Sequence, residues 1–271
     1  MARTLIRRFL QVLVNRGPWG FCKLAAQKAG QRLGLVKVPE ANVAAAAKGG
    51  VGVAVHPFDE EYGTDTSGLL WGADLSSGKR NDLWNTAYYG VTPSLLTQMI
   101  GALELDWERY TFIDLGSGKG RALLLASRFP FKKIIGVEFV PELSAAAEAN
   151  IAKFDPPWRA CREIEAVNQD ATEFAYPEGP LVVYVYNPFL APVLKKCLKK
   201  LSRSVEKESR EVYLVYGNPV FERLVNKYAP KFVRQWERVF SFTEAEAEAD
   251  RFGARSEKVI LWRYAESSFG R

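Results

Sequence analysis

Apolar positions change rhythm along the chain. Over Thr4–Val14, Leu5, Ile6, Phe9, Leu10, Leu13 and Val14 recur at helical spacing, flanked by Arg3, Arg7, Arg8 and Arg16, which predicts a basic amphipathic helix. Gly17-Pro18 breaks it, and a second helical stretch runs from Trp19 to Leu33 before Gly34 ends it. Ala41–Gly52 is a run of small residues with no aromatic anchor and reads as a flexible connector. His56–Asn85 has no clean period and is rich in Gly, Asp, Ser and Thr, so it predicts a long structured loop of lid type.

From Tyr110 the pattern becomes regular. An apolar strand, Tyr110–Leu115, enters a Gly-rich turn, and a helix over Arg121–Phe129 leads to a second strand, Lys133–Glu138. Pro141 opens a helix through Ile151, and Ile164–Asn168 and the almost wholly apolar Leu181–Tyr186 read as buried parallel strands. Leu190–Leu201 is helical, Glu211–Tyr216 is a fifth strand, Pro219–Tyr228 a helix, and Phe232–Phe240 with Lys258–Tyr264 form a closing pair. This alternation predicts an α/β fold, a doubly wound, mostly parallel seven-stranded sheet with an antiparallel hairpin at one edge and an N-terminal helical arm. The expected organisation is an arm over 1–40, a linker over 41–55, a lid or substrate-side segment over 56–92 and a catalytic domain over 93–271.

Composition narrows the chemistry. Three scattered cysteines, Cys22, Cys161 and Cys197, provide neither a disulfide framework nor a zinc site, and they suit a reducing cytoplasm. One histidine, His56, cannot build a His-rich metal site and leaves a Ser-His-Asp hydrolase a single candidate base, so no metal is expected. Net charge is +6, but residues 1–48 alone carry nine Lys/Arg against Glu40, a net of +8, leaving −2 for the remainder. The basic arm can contact an anionic membrane surface or nucleic-acid phosphates, or pack on its own domain. With neither a membrane-spanning run nor a signal peptide in the sequence, the expected location is the cytoplasm, with the membrane's inner face as a peripheral option.

Asp114-Leu-Gly116-Ser117-Gly118-Lys-Gly120 follows a strand and opens a helix, so its backbone can closely approach a nucleotide-like ligand. The dinucleotide spacing GxGxxG fails, because Arg121 stands three after Gly118. The DxGxGxG pattern instead resembles the first motif of class I S-adenosylmethionine-dependent methyltransferases, over roughly residues 85–265. That resemblance implies S-adenosyl-L-methionine as cofactor, with Asp114 helping to hold its methionine ammonium and Gly116, Ser117, Gly118 and Gly120 facing its amino-acid moiety. Glu138 ends the second strand, where an acid can accept both ribose hydroxyls. Asp170, after the third strand, matches the family's acid at the adenine amino group.

After the fourth strand, Tyr184-Val-Tyr186-Asn187-Pro188-Phe189 resembles the (D/N)PP(Y/F) motif of methyltransferases acting on amino or amide nitrogen, with one proline fewer. The resemblance implies that the Asn187 side-chain oxygen and a neighbouring main-chain carbonyl orient the acceptor's N–H groups, with Pro188 and Phe189 beside them. Tyr88, Tyr89, Tyr184, Tyr186 and Phe189 form an aromatic acceptor pocket or pack in the core. Asn85–Pro93, in which Thr92 can cap a helix begun by Pro93, resembles the tyrosine-containing gate of the disruptor-of-silencing histone-lysine methyltransferases and of the ATP synthase c-subunit lysine methyltransferases, whose first motif also reads DLGSG. The segment from His56 on also resembles a bacterial methyltransferase-domain group marked by YGxDTSG, DLGSGKGRALLLAS and YNPF.

The expected function is methyl transfer to nitrogen, led by a protein lysine or other protein side chain as acceptor. A small metabolite or a nucleobase are alternative acceptors, and a cofactor-binding scaffold without turnover is the alternative of another kind. The slightly acidic body speaks against nucleic acid, leaving phosphate contacts to the arm. His56 either gates or assists proton removal, or is a surface or turn residue. Lys119 and Arg121 either touch the methionine carboxylate or cover the helix start. Glu244–Asp250 reads as a solvated helix or loop.

Overall fold

The computed structural model describes residues 55–70, 75, 77, 80–249 and 255–265. The two predicted arm helices and the small-residue connector lie outside these residues. The first described helix, α1 (Pro57–Tyr62), falls inside the stretch expected to be loop. Six residues are too few to show a period, and α1 is held at its ends, by His56 at the N-cap and by Gly63 in the left-handed conformation. Strands β1 (Leu69–Leu70) and β2 (Tyr88–Tyr89) pair antiparallel, Leu69 with Tyr89 and Leu70 with Tyr88. Helix α2 (Pro93–Gly101) follows; Thr92 takes its N-cap position in extended backbone but makes no side-chain capping bond, contrary to expectation.

Alternation then proceeds through β3 (Thr111–Leu115), α3 (Arg121–Ala126), β4 (Lys133–Glu138), α4 (Pro141–Lys153), β5 (Ile164–Asn168) and β6 (Leu181–Tyr186). It ends with α5 (Ala191–Lys207), β7 (Val212–Gly217), α6 (Glu222–Tyr228), β8 (Phe232–Ser241), α7 (Glu244–Ala249) and β9 (Ser256–Tyr264). Helix α3 stops three residues short of the expected Phe129, whereas α5 runs on past Leu201 because Val205 extends its buried stripe. The acidic run is helical over Glu244–Ala249, with no buried side chain.

The seven strands order as β5-β4-β3-β6-β7-β9-β8. The first five are parallel, and β9 enters antiparallel between β7 and the edge strand β8. The strand order reverses between β3 and β6, and ligands of doubly wound sheets bind outside the carboxyl ends of the strands at such a point. One face of the sheet packs Leu115, Val183, Leu198 and Trp262 with α5 and α6. The other packs Phe112, Leu123, Tyr184 and Leu261 with α2 and α3. With both faces covered, the inner parallel strands are buried, β3 at all five positions, whereas β5, expected to be a buried strand, is the sheet edge and has no buried position.

Candidate active site

At the carboxyl end of β3 the chain turns through Gly116, Gly118 and Gly120, whose φ values are +89°, +55° and +87°. Each glycine admits a different neighbour. A Cβ on Gly116 would stand 2.3 Å from Pro188 Cβ, one on Gly118 would stand 2.2 Å from Tyr88 Cε2, and one on Gly120 would stand 3.1 Å from Ala147 Cβ in α4. The turn therefore meets Pro188, the Tyr88 ring and a packed helix in succession.

Glu138 at the end of β4 grips this turn. One carboxylate oxygen accepts the Gly118 N–H at 2.8 Å and the other accepts the Val140 N–H at 2.8 Å. Burial pushes its pKa up, and these backbone donors oppose that rise. Asp114 is 3% exposed and makes no hydrogen bond through its carboxylate among the described residues. Burial, and then the charge of Glu138, push its pKa up to about 8. At neutral pH without ligand it is therefore largely protonated. A cation placed against it would ionise it.

Asp114, Gly116, Ser117, Gly118, Glu138 and Asp170 line a solvent-open cleft of about 900 Å3, whose other wall includes Tyr88, Tyr89, Tyr184, Pro188 and Phe189. Gly120 and Asn187 do not line it. Asp170 is anchored on both oxygens: Asn81 Nδ2 donates at 2.6 Å and the Thr172 N–H at 2.8 Å.

Asn187 adopts φ +47°, a left-handed conformation that Asn tolerates better than most residues. Its Oδ1 is buried with no hydrogen-bond partner among the described residues, as are Ser117 Oγ and the Tyr184 hydroxyl. Buried orphan acceptors are costly and mark places where a ligand group completes the bonding. The carbonyls beside Asn187 are already engaged. Thr86 Oγ1 donates to the Asn187 carbonyl at 2.9 Å, and the Thr86 N–H donates to the Pro188 carbonyl at 3.2 Å. Asn85 bridges to Phe189 and the Leu190 N–H donates to Trp84 at 2.9 Å, so residues 84–86 clamp the whole loop. Tyr184 both lines the cleft and packs in the core, stacking on Phe112 at 5.9 Å and Tyr186 at 6.4 Å.

Lys119 and Arg121 turn toward residues 59–67. Lys119 Nζ donates to Asp65 at 2.7 Å and to the Ser67 carbonyl at 3.0 Å. Arg121, 3% exposed, donates from Nε to Thr66 Oγ1 at 2.7 Å, and its guanidinium lies 3.9 Å from Asp59. Asp59 accepts in turn from Thr64, from both the N–H and the hydroxyl of Thr66, and from Ser67. Burial raises the Asp59 pKa, but the bonds from Ser67, Thr64 and Thr66 outweigh it and hold the group below its usual value. This knot and the clamp by Thr86 escaped sequence reasoning. The one signal for the knot was the cluster of Asp, Thr and Ser over 59–67.

His56 is not a surface residue. It is 6% exposed, and its Nδ1 accepts the Phe58 N–H at 3.0 Å as the cap of α1. Among the described residues no group of three or more His, Cys, Asp or Glu can hold a metal ion, and no helix is long and apolar enough to cross a membrane.

The family model for the histone methylation protein DOT1 matches residues 80–161, from the clamp through β3, the glycine turn and β4. No curated protein matches the chain. Among solved structures the chain is similar to geranyl diphosphate C-methyltransferase from Streptomyces coelicolor A3(2), at 13% identity over 64% of this chain and 77% of that one, TM-score 0.43. It is also similar to an RNA methyltransferase from Salinibacter ruber, at 18% identity over 66% and 97%, TM-score 0.42. The ribosomal protein L11 methylase from Lactobacillus delbrueckii subsp. bulgaricus shows 15% identity over 64% and 79%, TM-score 0.43. The family-model match spans the glycine turn and the acids at the ends of β3 and β4, and together with the reversal of strand order between β3 and β6 these are features in which the chain is similar to the class I S-adenosylmethionine-dependent methyltransferases.

Proposed function

We propose that this methyltransferase acts on an amino or amide nitrogen, with a protein lysine or other protein side chain as acceptor. The observation that carries the reading is Asn187 Oδ1, a buried acceptor without a partner on a clamped loop between the tyrosine-rich wall and the glycine turn. An N–H donor satisfies it, and accepting that hydrogen turns the nitrogen lone pair away from Asn187 toward the cleft. Tyr186 and Pro188 line the cleft while Asn187 between them does not, so this contact requires the lining to shift as the acceptor enters.

The cofactor site fits S-adenosylmethionine on this chain's own terms. A cation placed against Asp114 would ionise it, Glu138 ends β4 at the cleft, Ser117 Oγ lacks a partner, and Gly116 and Gly118 line the cleft with Pro188 and Tyr88 packed close against them. The bound cofactor supplies an electrophilic methyl group on a sulfonium. Asp114 would hold the methionine ammonium, Glu138 the ribose hydroxyls, and Asp170, fixed by Asn81 and Thr172, the adenine edge.

An amine acceptor must first lose a proton. A dry aromatic wall disfavours the ammonium form and lowers its pKa, so no dedicated base is required. His56 is spent as a helix cap, and burial raises Tyr88 and Tyr184 well above their usual values, which suits them as walls and not as bases. The buried free thiols of Cys161 and Cys197 suit a reducing cytoplasm, and the basic arm would add contacts to anionic lipid or phosphate. A nucleobase amino group or a small amine would meet Asn187 in the same way.

The test is labelled-methyl transfer from S-adenosylmethionine into a cell lysate, followed by separate protease and nuclease digestion. Protease-sensitive label on lysine supports the reading. Nuclease-sensitive label moves the acceptor to a base, and label on carbon or oxygen overturns nitrogen transfer.

A further inference from the structure

Helix α5 begins where the acceptor loop ends, and Val193 in its first turn lines the cleft. One face is spent on the core through Val193, Leu194, Cys197, Leu198, Leu201 and Val205. The opposite face exposes Lys195, Lys196, Lys199, Arg203 and Lys207, and no acid precedes Glu206. Helix α6 packs alongside and adds exposed Arg223 and Lys227, with Lys231 just beyond it.

These cations have no carboxylate partners: none forms a salt bridge among the described residues. Lys195–Lys199, Lys196–Lys200, Lys199–Arg203 and Arg203–Lys207 are like-charge pairs one turn apart, an arrangement that weakens a helix. Three ammonium groups also converge on one ring. Lys195, Lys199 and Lys227 lie 5.0, 5.5 and 5.6 Å from the centroid of Tyr228. The ring's face offsets part of their mutual repulsion. A polyanion would relieve the rest.

The charge balance of the whole chain conceals this face. Residues 191–231 carry ten Lys/Arg against four acids, a net of +6, so the remainder of 49–271 is net −8. The slightly acidic body, which spoke against nucleic acid, is an average over one basic segment and a net acidic remainder.

We infer that the outer face of α5 and α6 docks the phosphodiester backbone of a nucleic acid beside the catalytic cleft. The large apolar residues exposed in the described structure are Val55, Leu70, Val220, Val233 and Val239, none of them on α5 or α6, so the face lacks the anchors of an interfacial membrane helix. Successive cations one helical turn apart form a row that a flexible polyanion can follow away from the cleft. The inference does not depend on the acceptor: a bound strand would deliver one of its own bases or a protein carried on it.

The experiment is fluorescence anisotropy of a labelled RNA of about 20 nucleotides with the full chain, across a salt series. The triple variant Lys195→Glu/Lys199→Glu/Lys227→Glu, its Gln counterpart and the control Lys132→Glu/Lys153→Glu are compared at matched thermal stability. The basic arm contributes equally to all of them. Losing three phosphate contacts should weaken binding roughly 100-fold near 0.1 M salt and reduce the log–log salt slope by about 2, with the control near wild type. Equal weakening by the control, or no weakening in the triple variants, overturns the inference. So does wild-type protein that prefers polyglutamate or phosphatidylserine vesicles to RNA, with that preference lost in the triple variants.

Discussion

The ring of Tyr88 stands over Gly118 so closely that a Cβ there would lie 2.2 Å from Tyr88 Cε2. The Tyr88 hydroxyl donates to the Thr66 carbonyl at 2.6 Å, and Lys119 reaches the same segment at Asp65 and Ser67. Tyr88, the glycine turn and residues 65–67 therefore pack as one unit. A ligand that enters above Gly118 must contact all three.

Gly118→Ala should be poorly tolerated. A left-handed alanine costs about 1 kcal/mol, and displacing the Tyr88 ring adds to it. Thermal melting should show a clear loss, and calorimetry should show weakened S-adenosylmethionine binding. Gly101→Ala, at the end of α2 with open space around its Cβ, is the matched control and should melt at or above wild type.

Asp114 links cofactor affinity to pH. Its folded pKa of about 8 lies above the ordinary carboxylate value, so the ligand-free fold binds a proton that the unfolded chain releases. Between about pH 4 and 8 the ligand-free protein should therefore lose stability as pH rises. Asp114→Asn removes that loss: the variant should melt above wild type at pH 7.5 and near it at pH 5, while its cofactor affinity collapses. Wild-type binding should release protons at pH 7, seen as a buffer-dependent calorimetric enthalpy. An enthalpy independent of buffer would refute the linkage.

The Asp59–Arg121 knot should act on stability first. Asp59→Asn leaves a buried guanidinium facing a neutral partner, and breaking a buried pair typically costs about 3–5 kcal/mol. The Asp59 pKa is depressed, so its contribution is present above the unfolded carboxylate pKa and disappears as pH falls through the folded one. Urea unfolding at pH 7 and pH 3 should thus separate wild type from variant strongly at the higher pH and weakly at the lower.

Asn187→Gly tolerates the left-handed backbone and removes the whole side-chain amide, Oδ1 with it. Turnover should fall about 100-fold with cofactor affinity unchanged, as expected for an acceptor-positioning group. Thr86→Val, which leaves Asn187 intact but unties its carbonyl, should reproduce part of that loss. A fall in cofactor affinity of the same size in Asn187→Gly would place the residue on the wrong side of the cleft.

Much of this architecture was legible in one dimension because its signals are local. Buried parallel strands must be continuously apolar, as Leu181–Tyr186 is, and a strand-to-helix turn against a ligand needs glycines, as after Asp114. Boundaries failed where local capping geometry or a core contact sets them. Thr92 caps no N–H through its side chain, α1 exists because His56 and Gly63 hold two turns of helix in place, and α5 lengthens because Val205 finds the core.

The amino-acid order alone determined the sheet, the glycine turn and the acids at the ends of β3 and β4, since each follows from periodicity or from spacing along one segment. Only the tertiary structure decided what joins segments distant in the chain. It turned Lys119 and Arg121 to residues 59–67, placed Thr86 under Asn187 across about 100 residues, buried Asp114 deeply enough to hold a proton and gathered the lysines of α5 and α6 on one face. Burial, desolvation and charge proximity are properties of neighbours in space, and a linear pattern records neighbours only along the chain.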